Sequence, residues 1–284
     1  MVDEKKISIE SNSKINLNLL ITGKRKDGYH NIKSVFQKIS LSDTLTISKS
    51  DKFEIISNIK NVNTEDNIVY KAYIKLKELY DIPPVKVELD KRIPMEAGLG
   101  GGSADAAAFL TGINKLFSLK IPKRELIKIG RSLGADVVPL LYDGAVLAKG
   151  IGSNIKIIKS KIKFYIVIVK PKYGSNTKEM YKEYDLNKEN IKELDYTDDI
   201  IKALENNNLS LLKGKLYNVF EDVYKEKESL NTIKSKLLEL KSTSALLSGS
   251  GSSIYGLYND KMDAERAYDK LKEEYDVYLC ENIN

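Results

Sequence analysis

The sequence predicts an α+β fold, because segments with strand and helix patterns alternate along the whole chain of 284 residues. The first third is dominated by strand patterns, in which apolar residues recur at every second position. Longer segments with apolar residues at helical spacing follow, and further short strands separate them in a β–α and then a β–α–β order. A chain of this length forms one large domain or two modest ones.

Strand patterns in the first half of the chain surround three helix patterns. The first strand alternates from Ile15 to Ile21 and ends at a turn that closes with Gly28. Asp66 is the expected N-cap of the first helix, and Gly134 is expected to end the third. The other strands are predicted at Val35–Leu41, Thr44–Ser48, Phe53–Ser57, Val85–Leu89, Gly144–Lys149 and Ile155–Ile158. The helices are predicted at Asn67–Tyr80, Ser103–Phe117 and Pro122–Leu133.

The second half begins near Lys159, so we predict two domains, of residues 1–158 and 159–284. Phe164–Val169 is almost continuously apolar, which is typical of a strand buried on both faces. Helices are predicted at residues 176–184, 198–206, 209–222, 229–240 and 262–275. Strands are predicted at Ala245–Leu247, Ile254–Leu257 and Val277–Cys280. The long helical insertion between strands favours the α+β class.

The composition limits the cellular compartment and the kinds of partner that we expect for this protein. A single cysteine, Cys280, excludes an internal disulfide and fits a reducing compartment. Met1–Lys6 lacks the apolar run of a signal peptide, and no apolar run approaches the ~20 residues that span a bilayer. The net charge of +6 comes from scattered lysines rather than from a basic stripe with interleaved aromatics. We therefore expect a cytoplasmic protein with no nucleic-acid or membrane partner.

The segment Pro94–Ala104 carries the strongest chemical signal in the chain. It places four glycines in five positions, from Gly98 to Gly102, and a serine and a run of alanines follow. Glycine tolerates positive φ, serine is a good N-cap and alanine favours helix, so we expect a tight turn that opens onto a helix near Ser103. The N–H groups and the dipole at such a helix end suit phosphate. On the loop alone, a phosphate site and a purely structural turn are both open interpretations.

Two familiar nucleotide-binding loops are excluded by the surrounding residues. No Gly-Lys-Ser/Thr follows the glycines, which excludes a Walker A loop. A dinucleotide fingerprint needs a strand directly before the glycines and an acidic residue about 20 residues later. Here Pro94–Ala97 intervenes, and the downstream residues are Leu119–Lys123. Two charged residues complete the candidate site: Lys14 at the start of an amphipathic strand and Asp136 after a predicted helix.

With these segments together, the chain resembles the GHMP small-molecule kinase superfamily. The matching segments run in family order over nearly the whole chain: Lys14–Leu17, Thr22–His30, Asp90–Pro94, the glycine loop, Leu133–Val137, Leu147–Gly152 and Leu247–Gly251. The resemblance implies a two-domain GHMP kinase fold. Its N-terminal domain would have a ribosomal-protein-like α/β fold, its C-terminal domain a ferredoxin-like α/β fold, and the substrate cleft would lie between them.

The resemblance implies an ATP-dependent kinase and assigns the reacting groups. Asp136 would take the proton from the substrate hydroxyl, and Lys14 would sit beside it, holding the carboxylate ionised. A Mg²⁺ ion would be carried with ATP. The implied nucleotide-binding residues are Asn67, Lys91, Pro94, Met95, Glu96, Ala97, Gly98, Leu99, Gly100, Gly101, Gly102, Ser103 and Ala104. These roles agree with phosphoryl transfer, which needs positioning and charge stabilisation more than covalent chemistry.

Within the superfamily, the segment Asp27–His30 resembles the members whose substrate is a small cytidyl diphosphate molecule. The resemblance places His30, the only histidine, against a cytosine ring, with Tyr29 stacked on one face and Tyr181 covering the other. For Tyr181, one of 17 tyrosines, a position in the helix core is the rival interpretation. The implied substrate-binding residues are Asn16, Tyr29, His30, Thr177, Tyr181, Gly249, Ser250 and Gly251.

The chain departs from the family pattern at a few positions near the expected site. Glu96 stands where a small or apolar residue is usual, so its carboxylate is expected to point away from the phosphates. The other departures flank Asp136 and could shift the substrate pocket: Val138, Pro139, Asp143 and Ser153.

Two alternatives stay open from the sequence. One is another GHMP kinase, with a mevalonate-like, homoserine or sugar substrate; Tyr29 and His30 argue against it because those substrates have no base. The other is a catalytically silent nucleotide-binding protein on the same fold, and the presence of Lys14 and Asp136 argues against it. We expect a monomer or a weak homodimer.

Overall fold

A computed structural model describes residues 6–59 and 65–284 of the chain, so most of the N-terminal segment Met1–Lys6 lies outside the described residues. Its strands are β1 (Lys6–Lys24), β2 (His30–Lys49), β3 (Glu54–Ser57), β4 (Val85–Asp90), β5 (Ala145–Gly150), β6 (Asn154–Ile158), β7 (Tyr165–Lys170), β8 (Tyr217–Asn218), β9 (Ser244–Leu247), β10 (Ile254–Tyr258) and β11 (Asp276–Glu281). Its helices are α1 (Ile68–Leu79), α2 (Gly101–Leu116), α3 (Lys123–Leu133), α4 (Val137–Leu140), α5 (Thr177–Leu186), α6 (Thr197–Glu205), α7 (Lys227–Glu239) and α8 (Lys261–Leu271). Within these described ranges, no helix has both the length and the apolar character to span a bilayer.

The chain divides into two compact units, each with strands and helices, which confirms the predicted α+β class. The first unit contains Met1–Ser13, Ser42–Ile93 and Gly100–Tyr142. The second contains Lys14–Leu41, Pro94–Leu99 and Asp143–Asn284. The long strands β1 and β2 and the glycine loop therefore contribute residues to both units. The predicted domain boundary after residue 158 stays a prediction.

The first unit is built on the pairing of three strands. The end of β2 runs antiparallel to β4, and β4 runs parallel to β3, so Ile47, Val87 and Ile55 stand side by side. These apolar side chains are buried in one cluster with residues of the helices, including Val69 of α1 and Phe109 of α2. Burial of this apolar face stabilises the unit and fixes α2, whose N-terminus carries the glycines.

The second unit contains an antiparallel sheet in the strand order β11-β7-β10-β9. The apolar residues Ile166–Val169 of β7 are completely buried, as their sequence predicts. Val167 and Val169 pack in one cluster with Ile233 of α7 and Ala264 of α8. Strands β9 and β10 are antiparallel neighbours, so the sheet fixes both ends of the second glycine segment, residues 248–253, which connects them.

The prediction of one helix over residues 209–222 is wrong. These residues form two short 3₁₀ turns with strand β8 between them. Gly214 has a φ of +70°, which a right-handed helix does not accommodate. Asn218 accepts a hydrogen bond from the Phe220 N–H at 3.0 Å and donates to the carbonyls of Leu247 and Gly249 at 2.8 and 2.7 Å. This local side-chain bonding competes with a helix, which explains the error.

Three predicted element boundaries also need correction. Strand β2 is continuous, although its sequence pattern predicts two strands. Asn67 rather than Asp66 caps α1, since its side chain accepts a hydrogen bond from the Val69 N–H at 2.8 Å. Helix α2 begins at Gly101, so Ser103 lies within its first turn and does not cap it.

Candidate active site

The first unit presents the N-terminus of α2 without a side-chain cap. The N-cap residue is Gly100, in the left-handed conformation with a φ of 71°, and no acidic residue lies in the first turn. Helices α1, α5 and α8 instead begin at Asn67, Asn176 and Asp260, whose side chains accept hydrogen bonds from the following turn. The first N–H groups of a helix have no partner within it. This end of α2 therefore offers hydrogen-bond donors and a positive dipole to an anion.

A buried ion cluster lies beside the first turn of α2. Lys91 donates from Nζ to Asp43 at 2.5 Å and to Asp105 at 2.7 Å. Ser11 donates to the second oxygen of Asp105 at 2.8 Å. Asp43 also accepts hydrogen bonds from the two backbone N–H groups that follow Lys91. A Cβ on Gly101 would lie 3.5 Å from the Lys91 ammonium, so these bonds fix the predicted nucleotide-binding lysine next to the glycines.

The cluster perturbs the titration of its members. Burial is the main cause that raises the pKa of Asp105 to about 7; Asp43 raises it further, and Lys91 opposes both effects. Burial lowers the pKa of Lys91, but the two carboxylates outweigh burial and raise it above its ordinary value. Asp105 therefore gains and loses a proton near neutral pH, in contact with the lysine that flanks the helix end.

Asp136 stands at the start of the short helix α4. It is half-buried, and its side chain does not cap that helix. The residues after it enter the core of the first unit, where Val137 and Leu140 are buried. A Cβ on Gly134 would lie 4.0 Å from the Ser103 hydroxyl. The first unit thus brings the segment of Asp136 to the same end of α2 that carries the glycines.

Lys14 lies in the second unit, where two glycine-containing segments meet. Its backbone N–H donates to the Leu99 carbonyl at 3.1 Å, and its buried ammonium donates to Asn16 at 2.6 Å. A Cβ on Gly249 would lie 3.1 Å from the Lys14 Nζ and 2.8 Å from the Gly98 carbonyl oxygen. The structure therefore assembles Lys14, Asn16 and the glycines of both segments, which are far apart in the sequence.

The two glycine segments of the second unit, residues 94–99 and 248–253, are joined by hydrogen bonds to backbone carbonyls. The Ser248 hydroxyl donates to the Gly98 carbonyl at 3.0 Å, and backbone hydrogen bonds of 3.1 and 3.3 Å join the same segments. Gly98 has a φ of 72°, and a Cβ there would lie 2.0 Å from the Ser248 carbonyl oxygen. Only glycine fits at this position.

The side chain of Glu96 points away from this contact between glycine segments, although its backbone carbonyl takes part in the contact. It is exposed, has a φ of 51°, and its carbonyl accepts a hydrogen bond from the Ser175 N–H at 3.2 Å. Its carboxylate lies against Gly174, where a Cβ would be 2.3 Å from Oε2. The carboxylate thus faces the segment that precedes α5.

His30 is held in an aromatic and acidic environment in the second unit. Its Nε2 lies 2.8 Å from Asp185, and its ring stacks on Tyr181 at 4.9 Å between centroids. Asp185 also accepts a hydrogen bond from Lys24 at 2.6 Å. Tyr29 is 71% exposed. The structure places Tyr181 on the imidazole itself, while the contact of these residues with a base stays a prediction.

Helix α5 connects this aromatic cluster to the second glycine segment. Its first residue, Thr177, lies 2.9 Å from the Ser250 hydroxyl, and Tyr181 follows one turn later. Asn16 is completely buried, and it donates to Ser34 at 2.8 Å. All the predicted substrate-binding residues therefore belong to the second unit: Asn16, Tyr29, His30, Thr177, Tyr181, Gly249, Ser250 and Gly251.

Sequence reasoning missed the acidic partners of two predicted site residues. Asp43 and Asp105 hold Lys91, and Asp185 holds His30. A signal exists for Asp105, since a carboxylate among buried alanines on a helix needs a partner. A signal also exists for Asp185, which follows Tyr181 by one helical turn. No local pattern connects Asp43 to Lys91.

Residues 6–59 and 65–284 contain no cluster of three or more His, Cys, Asp or Glu side chains that could hold a metal ion.

Two family models match parts of the chain, and curated relatives match nearly all of it. Residues 67–144 match the GHMP kinases N terminal domain, and residues 200–277 match the GHMP kinases C terminal domain. The chain is 41% identical over 282 residues to a 4-diphosphocytidyl-2-C-methyl-D-erythritol kinase of Clostridium tetani (strain Massachusetts / E88), covering 98% of this chain and 100% of the relative. It is 39% identical to the kinase of the same name from Thermoanaerobacter pseudethanolicus (strain ATCC 33223 / 39E), covering 99% and 97%.

Solved structures share the fold. A crystal structure of 4-(cytidine 5'-diphospho)-2C-methyl-D-erythritol kinase superposes with a TM-score of 0.83 at 26% identity, covering 98% of this chain and 100% of that one. Mevalonate kinase of L. major, in complex with R-mevalonate, gives a TM-score of 0.74 at 16% identity, covering 99% and 97%. Homoserine kinase from Cytophaga hutchinsonii gives 0.72 at 19%, covering 100% and 96%. The last two likenesses show the fold alone.

Proposed function

The chain belongs to the 4-diphosphocytidyl-2-C-methyl-D-erythritol kinase family of the GHMP kinases, and from this premise we propose that it phosphorylates the C2 hydroxyl of 4-diphosphocytidyl-2-C-methyl-D-erythritol with ATP. The reaction belongs to non-mevalonate isoprenoid precursor biosynthesis. The observation that carries the proposal is the similarity over the whole chain to kinases of that name, at 36% to 41% identity. The predicted ATP-dependent small-molecule kinase activity is confirmed by the same relatives and by both GHMP kinase domains.

The proposed mechanism needs two charged side chains and a set of backbone donors. Asp136 accepts the proton of the substrate hydroxyl as the new bond to phosphorus forms. The Lys14 ammonium neutralises charge on the transferring phosphoryl group. The first turn of α2 donates N–H groups to the ATP phosphates, a stabilisation that requires no side-chain reorganisation. The uncapped helix end and the buried position of Lys14 support these roles.

We assign the nucleotide to the glycine loop, Pro94–Ala104, together with Asn67 and Lys91. Magnesium would enter with ATP, because Mg²⁺ keeps several waters and is usually held by substrate phosphates and one or two protein oxygens. The Ser103 hydroxyl, in the first turn of α2, is the oxygen ligand that we propose for it. The ion would screen the phosphate charge and polarise the transferring group.

The cytidyl diphosphate end of the substrate is assigned to the second unit. Tyr29 stacks on the cytosine, His30 binds its polar edge, and Tyr181 supports the opposite side of the pocket. The exposure of Tyr29 supports this role, since a largely exposed aromatic ring is available to a base. Asn16, Thr177 and the residues Gly249–Gly251 contact the remainder of the substrate.

The cellular setting is proposed from the same observations. The protein acts in the cytoplasm as a monomer or weak homodimer, on a small molecule and without nucleic-acid or membrane partners. The Cys280 thiol is buried, and burial raises its pKa to about 12, so it is an inert core residue.

Release of ADP from purified protein tests the proposed substrate. The protein is incubated with Mg-ATP and, in separate reactions, 4-diphosphocytidyl-2-C-methyl-D-erythritol, mevalonate and homoserine. We expect turnover with the cytidyl substrate alone. Turnover with only mevalonate or homoserine would assign the chain to another GHMP kinase activity. If no ADP is released with any of the three substrates, the chain is a silent nucleotide-binding protein.

A further inference from the structure

His30 is fixed on several sides within the second unit. Its Nε2 lies 2.8 Å from Oδ1 of Asp185, and its side chain is only 7% exposed. Tyr181 stacks on the ring with an interplanar angle of 18°, and Tyr184 meets it edge-on at 5.9 Å between centroids. These contacts set both the plane and the rotation of the imidazole before any ligand binds.

The bond to Asp185 also determines which ring nitrogen carries the proton. Burial would raise the pKa of Asp185, but hydrogen bonds from Lys24 and His30 outweigh burial and hold it below its ordinary value of 3.8. The carboxylate is therefore ionised at neutral pH and can only accept, so Nε2 carries a proton. In the neutral imidazole, Nδ1 then holds a lone pair. Nδ1 makes no hydrogen bond to any residue of the ranges 6–59 and 65–284.

A fixed acceptor can distinguish the two common pyrimidines. Cytosine carries an amino donor at position 4, whereas uracil carries a carbonyl acceptor there. A lone pair that faces position 4 accepts a hydrogen bond from the amino group and repels the carbonyl. We propose that Asp185 is a positioning residue that holds His30 in the Nε2-protonated tautomer, and that this tautomer selects a cytidyl over a uridyl substrate. The inference rests on the proposed function and names how the same site chooses its base.

The size of the expected selectivity follows from the cost of an unpaired or repelled group. A base contact of this kind is worth about 10- to 100-fold in discrimination. Replacement of Asp185 by Asn is the informative change. The amide can either accept from Nε2 or donate to it, so Asn permits the alternative tautomer, in which a protonated Nδ1 donates to the uracil carbonyl. The variant should therefore lose activity on cytidyl substrate and gain activity on uridyl substrate.

The matched control is Lys24→Met. Lys24 binds the other oxygen of Asp185, Oδ2, at 2.6 Å and is more than half exposed. The control therefore removes an ion pair of the same carboxylate while leaving its bond to His30. Thermal unfolding of both variants reports whether either is destabilised.

The tautomer can be measured without any assumption about function. His30 is the only histidine, so ¹⁵N-histidine labelling gives one pair of ring-nitrogen signals. In the neutral form of the ring, we expect the free wild-type protein to show a protonated Nε2 and an unprotonated Nδ1. A neutral ring with the proton on Nδ1 would overturn the proposal.

The selectivity is measured as the ratio of kcat/KM for the cytidyl substrate to that for its uridyl analogue. We expect Asp185→Asn to lower this ratio at least about tenfold, mainly through KM, and Lys24→Met to preserve it. An Asp185→Asn protein that loses both activities equally would overturn the proposal. If the wild type turns over neither substrate, the proposed function fails. The inference is then tested by calorimetry, which compares the binding of cytidine diphosphate and uridine diphosphate to the wild type, Asp185→Asn and Lys24→Met. A lower preference for cytidine diphosphate in Asp185→Asn alone supports the inference, and an equal loss of affinity for both nucleotides in that variant overturns it.

Discussion

Ser248 and Gly98, 150 residues apart, are joined by a hydrogen bond of 3.0 Å from the serine hydroxyl to the glycine carbonyl. The two residues are so close that a Cβ on Gly98 would lie 2.0 Å from the Ser248 carbonyl oxygen. The atom in the way belongs to the backbone and cannot swing aside. The contact therefore fixes one glycine segment of the second unit against the other.

Replacement of Gly98 by Ala tests this contact. The positive φ costs about 1–2 kcal/mol, and the overlap adds about 1–3 kcal/mol, so we expect the free energy of unfolding to fall by about 2–5 kcal/mol. Urea denaturation measures the change. The matched control is Gly214→Ala, at a φ of +70° with no atom within 4 Å of its Cβ. Its free energy of unfolding should fall only by the cost of the positive φ, about 1–2 kcal/mol. Equal losses in the two variants would contradict the argument.

Replacement of Asp136 by Asn tests its role as the general base. An amide cannot take the hydroxyl proton, so we expect kcat to fall by roughly 10²–10⁴, while the KM for ATP changes little. The steady-state rate of ADP formation gives both constants. Asp81→Asn, at an exposed carboxylate just beyond α1, should leave both unchanged. Wild-type turnover in the Asp136→Asn protein would remove Asp136 from the mechanism.

The elements with a strong local pattern were predictable from the sequence. The apolar run of β7 indicated a buried strand. The helical spacing of Val69, Ala72, Leu76 and Leu79 predicted one buried face of α1; the first three are buried, whereas Leu79, at the end of the helix, is 61% exposed. The helix predicted over 209–222 failed because its structure depends on distant partners: Asn218 binds the carbonyls of Leu247 and Gly249. A pattern of apolar residues cannot reveal bonds of this kind.

The candidate site was likewise predictable only in part from the sequence. The glycines and the helix that follows Gly100 were predictable, since glycine and alanine act through their own backbone preferences. The partners of the charged residues were not, because they come from remote segments. Asp43 lies 48 residues before Lys91, and Asp185 lies 155 residues after His30. Their pairing exists only once the chain has folded.

Asp105 should make the stability of the protein depend on pH. Its pKa is raised from an ordinary 3.8 to about 7 in the folded protein, so the folded state holds a proton that the unfolded chain has already lost between these values. Its contribution to stability is therefore complete below about pH 4 and is lost as the pH rises through 7. Asn mimics the protonated acid and does not ionise.

We therefore expect the wild type to lose stability relative to Asp105→Asn as the pH is raised from 5 to 8, by at most about 1.4 kcal/mol per pH unit. Denaturant titrations of both proteins at several pH values measure the difference in their free energies of unfolding. A difference that is constant over this range would show that Asp105 does not titrate there.

Tyr29 should contribute to substrate binding without contributing to stability. Its ring is 71% exposed, so Tyr29→Ala should leave the melting temperature unchanged. Loss of a base stack worth about 1–3 kcal/mol should raise the KM for the cytidyl substrate about 5- to 150-fold. Tyr29→Phe keeps the aromatic face and should retain wild-type KM. An unchanged KM in the alanine variant would place the base elsewhere.

The proposed reaction transfers the ATP γ-phosphoryl group to one hydroxyl of a cytidyl diphosphate substrate. ³¹P NMR of the reaction with 4-diphosphocytidyl-2-C-methyl-D-erythritol follows this transfer at the phosphorus atoms themselves. We predict one new phosphomonoester signal that grows in step with ADP while the cytidyl diphosphate signals keep their area. Its coupling to ¹³C should place the phosphate on the C2 oxygen. ADP accompanied only by inorganic phosphate, or a phosphomonoester on another hydroxyl, would contradict the account.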